Sequence, residues 1–94
     1  MNDKPTTTPM PTVHMNGTSH KMLTEGYEDA YDALKTFTKA FGRIEFNARD
    51  YYVQEPNAWM AAVKARTEIN LKILHISEYI QKHLESLAEQ APKK

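Results

Sequence analysis

Apolar residues recur every three or four positions along two long stretches of the chain, a period typical of α-helices with one buried face. The first stretch alternates steps of four and three residues through Leu23, Tyr27, Ala30, Leu34, Phe37, Phe41 and Ile44. Tyr31 widens this row. Thr18 or Ser19 is expected to cap the helix, because a hydroxyl oxygen can accept a bond from a free backbone amide of the first turn. The pattern predicts helix 1 over about residues 19–44.

The second stretch follows Pro56, a residue that suits the first turn of a helix. Its main row consists of Ala62, Arg66, Ile69, Ile73, Ile76, Ile80, His83 and Leu87. Adjacent rows add Trp59, Val63, Leu74 and Leu84. This pattern predicts helix 2 over about residues 56–90. The intervening loop, residues 45–55, is longer than the 2–8 residues or so usual between two packed helices.

The beginning of the chain has a different composition from the helices. Residues 1–12 contain four threonines and three prolines and offer few side chains that could be buried. Such a segment cannot offset the entropy lost on ordering, so we expect a disordered tail. The remaining residues, 13–91, form one predicted helical-hairpin domain.

The apolar rows of both helices are wider than the single strip that two helices can cover between them. An uncovered apolar surface of this width normally marks an interface. We therefore expect an all-α fold: a long antiparallel helical hairpin that assembles into a homo-oligomeric helical bundle, as a dimer or tetramer. A monomer whose N-terminal segment covers the open face is the competing hypothesis.

Composition narrows the classes of function. The twelve basic residues are balanced by twelve acidic ones, and a near-neutral chain lacks the charge needed to coat duplex DNA. There is no cysteine, and no histidine–carboxylate spacing indicates a metal site. Neither a signal peptide nor an apolar run of about 20 residues is recognisable, so no membrane association and a cytoplasmic location are expected. No nucleophile motif or carboxylate pair indicates an enzyme or a cofactor.

Two polar clusters could carry function. The first polar cluster, immediately before helix 1, consists of His14, Asn16, Gly17, Thr18 and Ser19. A helix N-terminus with hydroxyls beside it can bind phosphate or carboxylate, although an ordinary turn and cap would have the same sequence.

The second polar cluster lies in the loop and consists of Asn47, Arg49, Asp50, Tyr51, Tyr52 and Gln54. An arginine beside paired tyrosines can bind a phosphate and stack on a base. The alternative is an Arg–Asp pair that fixes the loop while the tyrosines plug the end of the bundle. Within one hairpin the two clusters lie at opposite ends of helix 1. They meet if subunits pack antiparallel, or if the N-terminal segment folds back along the bundle.

Arg66 and His83 interrupt the apolar row of helix 2. A buried charge needs a partner, so Arg66 is expected to meet a carboxylate, a tyrosine hydroxyl or a bound anion. His83 is expected to have a structural role near one end of the bundle.

Several short motifs together carry a family resemblance. The chain has VHMNGTS at residues 13–19, a helix with Tyr27 and Tyr31, NARDYYVQ at residues 47–54, and a long second helix. Over residues 13–87 this layout resembles the anti-CBASS cyclic-nucleotide sponges, a family of small phage proteins. The resemblance implies a helical oligomer that sequesters cyclic oligonucleotide second messengers such as 3′3′-cGAMP without cleaving them. It would act in immune evasion in the host cytoplasm.

On this resemblance, the expected ligand-binding residues fall in both polar clusters. Asn16, Thr18 and Ser19 would bind phosphate or ribose, Arg49 would bind phosphate, and Tyr51 and Tyr52 would stack on bases. Lys21 and Tyr27 are secondary candidates. A helical protein-interaction module that inhibits a host protein, or serves as its adaptor, is the alternative function.

Overall fold

The computed structural model describes residues 8–92, and this part of the chain contains two helices and no strand. Helix α1 spans His20–Gly42 and helix α2 spans Ala58–Glu89, with a short 3₁₀ turn at Ala48–Asp50 between them. The two helices pack against each other as a hairpin, and the molecule is elongated, measuring 63 × 38 × 18 Å. The all-helical class predicted from the apolar period is therefore confirmed.

The ends of α1 follow from local hydrogen bonding. Ser19 is the N-cap, and its hydroxyl oxygen accepts a bond from the Met22 amide at 3.1 Å. At the other end the amides of Arg43 and Ile44 donate to carbonyl oxygens three residues back, at 3.1 and 3.2 Å. Helix α1 thus ends at Gly42, two residues before the predicted end, and this tightened turn carries backbone hydrogen bonding on to residue 44.

Within residues 8–92 the buried side chains lie in the C-terminal part of α2: Ile80, His83 and Leu87. Leu87 is 0% and His83 is 2% exposed. The His83 ring lies against Tyr79 and Tyr27, with centroid distances of 4.2 and 4.8 Å, and its Nδ1–H donates to the Tyr79 carbonyl oxygen at 2.8 Å. Its position near the open end of the hairpin agrees with the structural role expected for this residue.

A strap, residues 10–13, lies against the same end of the molecule. The Gln90 side chain holds it with both halves of its amide: Oε1 accepts from the Val13 amide at 2.7 Å, and Nε2 donates to the Pro11 carbonyl oxygen at 3.0 Å. Nearby, His20 Nε2–H donates to the Leu87 carbonyl oxygen at 2.7 Å. Here the structure differs from the predicted tail over residues 1–12, because the side chain of Gln90, the C-cap of α2, satisfies two backbone groups of the strap. Residues 1–7 of that tail lie outside the described residues.

Most of the hairpin is less covered than this end. Helix α1 has no fully buried residue. Four large apolar side chains of α2 are between 41% and 50% exposed: Ile69, Leu71, Leu74 and Ile76. Through Gln90 the strap is tied to the end that contains Leu87, so the apolar surface in the middle of α2 stays open. No helix in the described part of the chain is long and apolar enough to cross a membrane.

The strap depends on the Gln90 amide. We expect Gln90→Ala to lower the free energy of unfolding by about 1–2 kcal/mol, because two hydrogen bonds to backbone groups are lost. Urea unfolding measures the stability, and hydrogen exchange of the Val13 amide measures release of the strap. Gln81→Ala is the control, since Gln81 bonds only within α2, to Ser77. Equal Val13 exchange rates in the wild type and Gln90→Ala would contradict this role.

Candidate functional site

The first polar cluster forms a turn that leads into α1. The Gly17 amide donates to the His14 carbonyl oxygen at 3.1 Å, and a Cβ added at Gly17 would lie 2.8 Å from Nε2 of the His14 ring. Glycine therefore allows the ring to lie close over the turn. Asn16 and Thr18 are exposed, as is Ser19, whose hydroxyl is used as the helix cap. The ordinary cap is thus present, and two polar side chains beside it face solvent.

The two secondary candidates lie further along α1. Lys21 is exposed, with its Nζ 3.9 Å from a carboxylate oxygen of Glu25. Such a surface pair contributes little stability, so the lysine can exchange its partner for another anion. Tyr27 is half-buried against His83, and burial, followed by the neighbouring Tyr79 phenol, raises the pKa of the Tyr27 hydroxyl. The Tyr27 hydroxyl therefore keeps its proton at neutral pH and can donate a hydrogen bond.

The second polar cluster is held by aromatic packing. Tyr51, Phe46 and Trp59 form an aromatic cluster, with ring centroids 4.8 to 6.1 Å apart. Arg49 and Asp50 are both exposed, and residues 8–92 show no ion pair between them. The loop is thus anchored by rings rather than by the Arg–Asp pair considered from the sequence. Tyr52 stands apart from the cluster and is 74% exposed.

Arg66 has a different partner from those expected. Its guanidinium lies over the rings of Phe46 and Phe41, 4.2 and 4.7 Å from their centroids. No carboxylate within the described residues lies within ion-pair distance of it. Among the described residues aromatic faces take the place of the expected carboxylate, because a planar, weakly hydrated guanidinium can be stabilised by rings. A bound anion at Arg66 stays a prediction.

The structure does not bring the two polar clusters together within one chain. Helix α1 has 23 residues, so the clusters are separated along its axis by roughly 35 Å. Asn16, Thr18, Ser19 and Lys21 lie at one end of the hairpin, and Arg49, Tyr51 and Tyr52 lie at the other. Each cluster alone therefore presents only part of the set of residues predicted to bind a ligand.

Sequence reasoning missed an open groove between the helices. It has a volume of about 520 Å³, and its lining is mostly apolar, with Tyr31, Leu34, Ile73 and Leu74 contributing. Lys35 and Lys39 also line it. The lysines of one helix and the apolar row of the other are each visible in the sequence. That they line the same groove depends on how the helices pack.

The described residues contain no group of three side chains that could hold a metal ion. Comparison of the chain with family models, curated proteins and solved structures found no match.

The raised pKa of Tyr27 predicts a dependence of stability on pH. Because the folded state holds this proton more tightly than the unfolded chain, the contribution is complete below the ordinary tyrosine pKa of 10.0 and is lost as pH rises through the folded pKa. We expect the unfolding free energy of the wild type to fall more steeply than that of Tyr27→Phe between about pH 9 and pH 11. Parallel curves in urea unfolding at several pH values would exclude this linkage.

Proposed function

We propose that this protein is an immune-evasion sponge that binds and sequesters cyclic oligonucleotide second messengers, such as 3′3′-cGAMP, without cleaving them. One observation carries the proposal: two polar clusters, each with exposed side chains, lie at opposite ends of α1, in a chain whose helices leave apolar surface uncovered. A bundle of two or four copies would cover that surface. If the copies pack antiparallel, each binding site combines the first polar cluster of one chain with the second polar cluster of another.

The groups in the two clusters suit a cyclic nucleotide. Each phosphodiester carries a negative charge, which the exposed Arg49 guanidinium and the free amides at the start of α1 complement. Asn16 and Thr18 offer polar side chains for phosphate or ribose. The exposed Tyr52 ring can stack on a base, whereas packing against Phe46 and Trp59 limits how much of the Tyr51 ring a ligand could cover.

Sequestration without turnover fits the groups at this site. Guanidinium, amide, hydroxyl and aromatic groups bind a phosphodiester ring from several sides, and the resemblance to the phage sponges implies the same outcome. The protein would then act by lowering the free concentration of a signal in the host cytoplasm. A host defence effector that needs the signal would stay inactive.

A second candidate is a helical protein-interaction module that inhibits a host protein or serves as its adaptor. The open groove between α1 and α2 favours it, because an apolar groove with Lys35 and Lys39 in its lining can accept an amphipathic helix with acidic residues. In this case Leu74→Arg would abolish the protection that the protein gives a phage against host defence. Arg49→Ala and Tyr52→Ala would leave that protection intact.

Calorimetric titration with 3′3′-cGAMP and with other cyclic di- and trinucleotides tests the sponge. We expect saturable heat with at least one of them. Arg49→Ala should weaken that affinity by about tenfold or more, because a charge-assisted bond to phosphate is lost. Lys64→Ala, at an exposed position of α2 outside both clusters, is the matched control and should bind as the wild type does. Chromatography of the nucleotide after incubation should recover it intact.

Two results would overturn the proposal. The absence of heat with every cyclic oligonucleotide tested would remove the ligand class. Accumulation of linear nucleotide or mononucleotide would replace a sponge with an enzyme.

A further inference from the structure

Helix α1 presents a second apolar face beside the one that packs on α2. The row that contacts α2 contains Tyr27, Leu34 and Phe41, all half-buried. One position before each of these lie Gly26, Ala33 and Ala40. The row next to them contains Ala30, Phe37 and Ile44, the last of which lies two residues past the end of α1. All six residues of these two rows are exposed, and Phe37 and Ile44 are each 50% exposed. We call these six residues the α1 seam.

We propose that the α1 seam binds the same seam of a second copy of this chain, with the two α1 helices antiparallel. The positions alternate in steps of four and three residues, which is the spacing of helices that pack side by side over several turns. The proposal gives the oligomer of the proposed function a specific interface, and it rests on that function only for the ligand site described below.

Side-chain size favours the antiparallel direction. In the antiparallel pair the two-fold axis crosses the seam at the level of residue 35. Gly26 then lies opposite the partner's Ile44 and Ala33 opposite the partner's Phe37. Ala30 lies opposite the partner's Ala40. Each large side chain then meets a small one. A parallel pair would place Phe37 against Phe37 and leave a gap at Gly26, which packs less well. The seam also explains a glycine inside a helix: within one chain, a Cβ at Gly26 would meet nothing within 4 Å.

Charge favours the same direction and the same register. The positions that flank the seam on its solvent side are Asp29, Thr36 and Arg43, spaced by seven residues. In the antiparallel register Asp29 lies beside the partner's Arg43, and the two-fold axis creates this pair twice. In the described part of the chain neither Asp29 nor Arg43 has an ion-pair partner of its own. In a parallel pair, Asp29 and Arg43 would instead lie beside the partner's row of Tyr27, Leu34 and Phe41.

The register has a consequence for the polar clusters. Because residue 44 of one copy lies opposite Gly26 of the other, the chain that continues from it reaches toward the start of the first α1. Arg49 and Tyr52 of one copy therefore approach Thr18 and Ser19 of its partner. The seam thus supplies the juxtaposition that a single chain lacks, and two equivalent ligand sites result from one interface.

Charge reversal in the full chain tests the seam. Sedimentation equilibrium gives the dissociation constant of the assembly. We expect Asp29→Arg and Arg43→Asp each to raise it about tenfold, because two attractive pairs become repulsive. The double variant Asp29→Arg/Arg43→Asp should restore it to within about threefold of the wild type, since the pairs reform with exchanged signs. Lys72→Glu on α2 is the matched control for a change of charge and should leave it unchanged.

A steric variant provides an independent test. Gly26→Leu should raise the dissociation constant by about a hundredfold or more, because its side chain occupies the space assigned to the partner's Ile44. Circular dichroism should show that the variant keeps its helices, since position 26 faces open space in the single chain. The proposal would be overturned if the dissociation constant of the double charge variant were raised by as much as the two single substitutions raise it together. Unchanged association of Gly26→Leu would do the same.

The ligand titration separates this inference from the proposed function. If the charge variants and Gly26→Leu behave as expected and no cyclic nucleotide binds, the seam stands and the sponge fails. If Gly26→Leu is monomeric and still binds 3′3′-cGAMP with wild-type affinity, the ligand site is not formed by two copies.

Discussion

A pair of helices can cover only the strip of each that faces the other, and this limit governs the whole molecule. Both helices carry apolar residues on more than one row, so packing α1 on α2 leaves further rows in contact with water. In the described part of the chain, buried side chains are confined to the end with Ile80, His83 and Leu87, where a third segment, the strap, adds to the two helices. The hairpin is therefore anchored at this end and open along much of its length.

The two ends of the hairpin solve the same packing problem with different chemistry. At the strap end, hydrogen bonds between backbone groups and the side chains of Gln90 and His20 accompany burial. At the loop end, the rings of Phe46, Tyr51 and Trp59 pack together while a guanidinium lies on two phenylalanines. Exposed polar residues lie next to both of these packed ends, so the two ends of the hairpin differ in the chemistry that they present.

The helices could be predicted from the sequence because their signals are local. The four-three spacing from Leu23 to Ile44 and the cap at Ser19 depend on residues within a few turns of one another. The strap could not be predicted, since Pro11 and Val13 are ordered by Gln90, 79 and 77 residues away. The same is true of Arg66, whose aromatic partners lie on α1 and in the loop. The polar residues of the candidate site could be named from the sequence by their chemical type. How they are arranged in space could not, because it depends on contacts between segments that are distant in the chain or belong to separate copies.

The bonds between Gln90 and the strap also bring residues near both ends of the described chain together. Pro11 and Gln90 are in direct contact, and the polypeptide path between them runs out along one helix and back along the other. Topologically the molecule is close to a ring. A peptide linking residue 92 to residue 10, together with a new opening in the exposed stretch 52–55, would give a circular permutant with the same pair of helices. In such a chain the order of the helices would be reversed, and the strap would become an internal turn.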